Sequence, residues 1–410
     1  MKLSRFGRIS MALVVSVAMG LGMTACGGGT IAYMWVLGTQ FNQIAGFKVD
    51  DFTGNLTAIV GSPFGAGGTN PVSIAVKPGG RYVYVVNQGT SSTAGNISQF
   101  SVGGDGVLTF QATFTSQGST PVWAVMDGSG NFLYVLDQVA ADTAYCPVAG
   151  TTCGSITVFS IASDTGRLSL VPNAQVRNPA GTQLTYFPVG IKPIMMKASG
   201  ACLFTVNSGD QTVFPYTTNG TSGQLTLPTT STITTPATNI TSINGGGSYV
   251  YLTDAGGTAS SPGGFILPYT VGSNCSLNTL TGGSVPNLPL TQNPVFSFTD
   301  SKSRYLYVLN QSTTNTQNAN STVSAFTIDA TNGKLQQIPD VSNPYPVGSG
   351  PVCMVEDPTN QYVYTSNNID GTVTGKIINT NTGQLSNLNR GSTFPAAGRA
   401  TCLAISGSTS

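Results

Sequence analysis

YVYVVN at residues 82–87 decides the fold, because variants of it return five more times: FLYVLD (132–137), CLFTVN (202–207), YVYLTD (249–254), YLYVLN (305–310) and YVYTSN (362–367). Apolar residues alternate along each string and an Asn or Asp closes it, which is the period-two signal of an antiparallel strand meeting a turn. Working outward, each string follows a second apolar strand, such as PVSIAV (71–76), PVWAVM (121–126) or PVCMVE (351–356). Each precedes a third, such as ISQFSV (97–102), ITVFSI (156–161) or VSAFTI (323–328), and then a turn into a fourth, as in TGRLSL (165–170) and NGKLQQ (332–337).

Four antiparallel strands repeating at a spacing of about 50 residues form the blades of a β-propeller. Six complete units start near residues 71, 121, 193, 238, 294 and 351. A seventh is split between the chain ends. IAYMWVLG (31–38), NQIAGFKV (42–49) and NLTAIVGSPF (55–64) supply its second, third and fourth strands, and ATCLAIS (400–406) supplies its first. The expected fold is therefore an all-β, seven-bladed β-propeller, closed by pairing of the C-terminal strand with the N-terminal ones. Strand alternation puts the first-to-second and third-to-fourth turns on one face, here the bottom. The second-to-third loops and the links between blades lie on the other, the top.

Residues 1–25 read as a targeting segment. Lys2, Arg5 and Arg8 precede an apolar run at 11–22 that is too short to span a bilayer comfortably, and Met23-Thr24-Ala25 leads to Cys26. That ending resembles the lipobox of bacterial lipoproteins, which implies cleavage before Cys26 and lipidation of its thiol. Residues 26–30 then form a lipidated, Gly-rich tether, and 31–410 the propeller. The expected location is the cell envelope, anchored to a membrane through Cys26 and facing the periplasm or the surface.

Of the 410 residues only 8% are charged, 51 are Gly and none is His. Losing Lys2, Arg5 and Arg8 with the signal leaves 13 basic residues against 15 acidic ones, which excludes the clustered basic surface of a nucleic-acid partner. Without His or a C-x-x-C pair, neither a metal nor another cofactor is expected. The chain is read as a monomer. Six cysteines remain beyond Cys26, an even number that suits disulfides in an oxidising compartment. Cys353 and Cys402 hold the same position in adjacent first strands. Cys202 and Cys275 both fall on the bottom face, and Cys146 pairs with Cys153 by elimination.

Several motifs together resemble the seven-bladed lactonase family, which includes propeller-type 6-phosphogluconolactonase and fungal carboxymuconate cyclase. They are the stretch from Pro71 to Asn87, Phe326-Thr327-Ile328, Thr53-Gly54-Asn55-Leu56-Thr57 and Gly61-Ser62-Pro63-Phe64. The YVVN, YVLD and YVLN strings are also similar to the YVTN repeats of surface propellers. The resemblance spans residues 31–406 and implies hydrolysis of a sugar lactone, of the 6-phosphogluconolactone kind, or of a related lactone. The repeated residues themselves read as structural.

Departures from the repeat give the candidate site. Lys192 and Arg399 stand just before first strands, at the top mouth of the channel. Two insertions in the second unit, 138–153 and 171–192, are expected on the same face and carry Asp142, Tyr145, Arg177 and Tyr186. Arg177, Lys192 and Arg399, with Tyr145 and Tyr186, would bind a carboxylate, phosphate or lactone oxygen. Asp142, Asp210 or Asp370, all on top loops, would act as the base that hydrolysis needs. The alternative class is a non-catalytic envelope propeller that binds a glycan, a small molecule or a protein. A convergent acid and base at the channel mouth would separate the two.

Overall fold

Alternating apolar strands with Gly, Asn and Asp at the breaks build seven antiparallel sheets, whose first strands touch in one closed cycle around a central channel. The computed structural model describes residues 29–407, apart from 179, 229–232, 258–262, 281, 283, 289–291 and 313–320. The first strands of blades 1 to 6 are Pro71–Val76, Ser119–Met126, Pro193–Ser199, Ile240–Gly246, Gln292–Thr299 and Pro351–Glu356. Blade 7 is the split sheet. Its first strand, Ala400–Gly407, pairs with Thr30–Gly38, with Ala404 opposite Trp35 and Ile405 opposite Met34. Thr30–Gly38 is thereby paired on both sides, and Ala400–Gly407 takes the innermost place beside the channel, as the first strands of the other blades do. Residues 1–25, expected to be a signal segment, and Cys26 lie outside the described residues.

The repeated aromatic and the repeated Gly explain each other. In blade 1, Tyr84 donates its hydroxyl to Gly166 O in the bottom turn of blade 2, and Tyr82 lies flat against that glycine. A Cβ on Gly166 would sit 2.5 Å from the Tyr82 ring, and its φ of +66° is the left-handed region that glycine occupies freely. The contact recurs around the ring. Tyr251 reaches Gly333 O at 2.9 Å, Tyr307 reaches Gly383 O at 3.0 Å, and Tyr364 reaches Gly54 O at 2.6 Å. Trp35 Nε1 reaches Gly106 O at 3.1 Å. The second strands of blades 1, 4, 5, 6 and 7 are thereby clamped to the third-to-fourth turn of the next blade; in blade 2 the Phe132 ring lies on Gly223 but the Tyr134 hydroxyl has no partner among the described residues.

Blades 3 and 4 use a different clamp at the same place. Cys202 stands where Tyr82 stands, Cys275 takes the glycine's position at φ +61°, and the two form a disulfide. Cys146–Cys153 and Cys353–Cys402 are also bonded, with Cα atoms 5.5 and 5.1 Å apart. All three expected pairings are formed. Asp127, Asp300 and Asp357 fix the first-to-second turns, accepting from the amides of Phe132, Tyr305 and Tyr362.

Two expectations need correction. The fourth strand is not continuous in six of the blades. In blade 7 it is Leu56–Ala58 and then Phe64–Gly65, and in blade 5 Leu335–Gln337 and then Tyr345–Val347. Side chains at the break take over the ladder. Ser62 Oγ accepts from Gly46 N at 2.8 Å, while Asn343 bonds both N and O of Ala325. Pro63 and Pro344, with no N–H to give, follow directly. The second correction concerns the 171–192 insertion. Its residues 171–186 leave from the same break in blade 2, between Leu168–Leu170 and Phe187–Pro188, and lie on the outer rim rather than the top.

Replacing Cys202 by Ser should cost about 2–4 kcal/mol in denaturant unfolding under oxidising conditions. The double exchange C202Y/C275G recreates the tyrosine-on-glycine clamp and should recover most of that loss. Equal stability of the single and double variants would show that the two clamps are not equivalent.

Candidate functional site

The residues singled out from sequence do not assemble into one pocket. Tyr186 is buried, at 3% exposure, and donates to Asp142 O at 3.1 Å. With Tyr145, Leu184 and Cys153 it forms a small apolar cluster that glues the outer insertion to the disulfide loop, so both tyrosines are packing residues. Arg177 caps its own hairpin, with Nη1 2.8 Å from Gly181 O. The rim segment carrying it is tied to the bottom turn of blade 3 through Gln224, so Arg177 does not reach the channel mouth.

The three acids hold turns. Asp142 Oδ1 accepts from Ala144 N at 2.8 Å, capping the short turn Thr143–Tyr145. Asp210 accepts from Ile191 N at 2.9 Å and from Thr212 Oγ1 at 2.7 Å. Asp370 repeats this in blade 6, with Ser349 N at 2.8 Å and Thr372 Oγ1 at 2.7 Å. Asp210 and Asp370 each tie a second-to-third loop to the link entering their own blade. Lys192 and Arg399 are exposed at the top, leading into blades 3 and 7, which are nearly opposite in a seven-membered ring. Their strands are thus not neighbours in the ring.

Sequence reading missed two features. The first bridges the channel. Trp123 of blade 2 and Phe296 of blade 5, at equivalent positions on first strands, meet with ring centroids 6.3 Å apart. Met195, at the same level in blade 3, joins the apolar cluster of Phe296, Cys353 and Cys402. A large aromatic at this level, where blades 1 and 4 have Ser73 and Ser242, is a signal the strings contain.

The second is Asp137. Asn87, Asn207, Asn310 and Asn367 occupy its position in other blades; each is fully buried, and its amide donates toward the third strand, as Asn87 Nδ2 does to Ser98 Oγ at 2.9 Å. In blade 2 a carboxyl stands there, with no exposure. It accepts from Ser116 Oγ, from Thr157 Oγ1 at 3.2 Å and from the Gly118 amide. Burial nevertheless pushes its pKa up to about 7, against the lowering effect of those donors. Ser116 and Gly118 line a top-face cavity of about 460 Å³ between blades 1 and 2, together with Gln88, Thr90, Ser92 and Thr115. No charged side chain lines that cavity. A proton acceptor tuned near neutrality thus sits one hydroxyl behind an uncharged, hydroxyl-rich wall. Among the described residues no group of three or more Cys, Asp or Glu could hold a metal ion.

Because the folded carboxyl keeps its proton to about pH 7 while the unfolded one loses it near 4, the folded state binds the extra proton between those values. Its contribution to stability is full in acid and is lost as pH rises through about 7. Asp137→Asn should therefore raise the urea midpoint at pH 8 relative to the parent and leave it nearly unchanged at pH 4. A parent whose midpoint does not fall relative to the variant over this range would show that the carboxyl ionises normally.

The model of the family described as "Lactonase, 7-bladed beta-propeller" matches residues 34–152 and 281–398. A candidate 6-phosphogluconolactonase of Bacteroides fragilis is similar in structure at a TM-score of 0.67 and 17% identity, covering 93% of this chain and 99% of its own. A second, from Bacteroides uniformis, gives 0.69 at 13% identity, covering 92% and 100%. A protein from Lactobacillus plantarum gives 0.67 at 17%, covering 92% and 99%. No match is found among curated proteins. At these identities the structural likeness speaks for the fold. The family match extends over more than half of the residues, and the chain belongs to the seven-bladed β-propeller lactonase family.

Proposed function

We propose that the chain hydrolyses a sugar lactone, or a related lactone, in the cavity between blades 1 and 2. One observation carries this reading: the Asp137 carboxyl, with its pKa near 7, is hydrogen-bonded to a hydroxyl on the wall of that cavity. A water in the cavity attacks the lactone carbonyl carbon. Its proton passes to Ser116 Oγ as the Ser116 proton passes to Asp137. The tetrahedral intermediate then breaks its bond to the ring oxygen, and that oxygen takes the proton back along the same path, giving the open hydroxy acid. Thr90, Ser92 and Thr115 offer hydroxyls suited to a polyol. The uncharged wall favours a neutral lactone over a phosphorylated one.

A second reading has its own support. Asp137 fills a position that is structural in four other blades, which suits a propeller that binds a glycan or small molecule without turnover. Hydrolysis of a panel of neutral aldonolactones separates the two. Turnover should rise with pH through about 7 and fall by 10²-fold or more in Ser116→Ala and Asp137→Asn, the range ascribed to a positioned acid–base group. Binding without turnover, or turnover indifferent to both substitutions, would favour the binding module. Asn at the equivalent positions makes misfolding of Asp137→Asn an unsuitable excuse.

We further infer that residues 1–25 are removed on export and that Cys26 carries lipid. Three disulfides are consistent with export. Gly29 O accepts from Asp51 N at 3.0 Å, so the described chain begins at the bottom of blade 7. Three residues reach at most about 11 Å, which would hold the bottom close to a bilayer and turn the cavity away from it. Cys26→Ser should move the protein from the membrane pellet to the soluble fraction; continued pelleting would contradict the anchor.

A further inference from the structure

Below the bridge of Trp123 and Phe296, one cation lines the channel. Lys197 lies opposite Phe204, two residues further down the first strand of blade 3 than Met195. Its equivalents in the other blades are Ala75, Val125, Asn244, Phe298, Val355 and Ala404, none of them charged. Lys197 keeps partial exposure although it sits in the middle of an innermost strand. First strands line the channel, so Lys197 stands at its wall, three residues above the bottom turn at Gly200. Burial pulls its pKa below the ordinary lysine value.

No described residue compensates this ammonium. Among the described residues it has no hydrogen bond and no ion pair, and the one ion pair present is Arg304–Asp300 on the bottom face. Lys376, also buried, shows the usual solution: its Nζ donates to Asn387 Oδ1 at 2.6 Å. Asn244, beside Lys197 in the ring, is committed to Ser297 O and Gly245 N. A second donor nearby is also unmet. Trp123 Nε1 is buried without an acceptor, whereas the other tryptophan, Trp35, has Gly106 O. A desolvated ammonium without an acceptor is unfavourable, and a cation beside an unmet N–H calls for acceptor oxygens from outside.

We propose that the lower channel is a binding site for a small carboxylate or other oxyanion, held by Lys197 Nζ beneath the Trp123–Phe296 bridge. The two rings stand between it and the top, so in this proposal the anion enters from the bottom and is separate from the cavity of blades 1 and 2. The site does not depend on the lactone reading. The open acid made from a lactone would nevertheless be one anion of the right class.

The test titrates acetate, gluconate and inorganic phosphate, each at constant ionic strength, into the mature chain, followed by calorimetry and by tryptophan emission. Saturable binding of at least one anion, with a change in Trp123 emission, is expected. Affinity should fall about tenfold or more in Lys197→Met and be largely kept in Lys197→Arg and Asp137→Asn. Without anion, Lys197→Met should melt no lower than the parent, because it removes an uncompensated charge from a site its stem already fills. Lys197→Gln serves if the Met variant misfolds. No saturable binding of any of the three, or equal affinity in Lys197→Met, would overturn the proposal. Which anion binds distinguishes carboxylate from phosphate chemistry, and loss of binding in Asp137→Asn would place the anion in the upper cavity instead.

Discussion

The structure depends on one contact repeated around the ring: an aromatic of one blade's second strand laid on a left-handed glycine in the next blade's bottom turn. A four-stranded sheet has two faces to bury and cannot bury them alone. The contact sets the spacing and stagger between sheets. It also converts a soft turn into a wall, because the tyrosine hydroxyl takes up a turn carbonyl that would otherwise be left unpaired. The exchange of tyrosine and glycine for Cys202 and Cys275 in blades 3 and 4 fits this view. Where the ring and the glycine are both absent, a covalent bond stands in the same place.

Such a lock leaves the channel and the top free to vary. First strands need only pack against their neighbours, so Ser, Trp, Met, Phe and Cys share one level of the channel. Chemistry can enter by exchanging a single residue within a structural repeat. Asp137 for Asn is such an exchange, and so is Lys197 for a neutral residue. Asp is isosteric with Asn, and both exchanges keep the strand register while adding an ionisable group. Glu356, between blades 5 and 6, shows that such burial alone does not make a site. Its pKa is also pushed up to about 7, yet its oxygens are taken by Ser301 N and Asn360 Nδ2 in a bottom turn.

The fold was legible because its signal is repeated. One string fixes a strand, six fix a ring, and the unmatched ends of the chain fix how it closes. The disulfides followed from the same phase, since Cys353 and Cys402 share a register. The broken fourth strand was hidden because Ser62 and Asn343 replace backbone partners by side chains, which leaves the apolar pattern intact. The site was harder for a related reason. Charged loop residues such as Arg177 and Asp142 stand out in sequence, but they spend their charge on their own turns. Asp137 does not stand out, because Asp and Asn share that position: Asp254, its buried counterpart in blade 4, caps the amides of Thr238, Asn239 and Gly256, whereas Asp137 accepts from the hydroxyls of Ser116 and Thr157. Trp123 and Phe296 are far apart in the chain, and nothing local says that they meet.

The central claim is that Asp137 is protonated or ionised according to pH near neutrality, behind Ser116. Infrared difference spectra between the parent and Asp137→Asn, taken across a pH series, report that carboxyl directly. A protonated carboxyl band that disappears with a midpoint at about 7 is the predicted result. A band already gone in the ordinary carboxylate range, around pH 4, would contradict it.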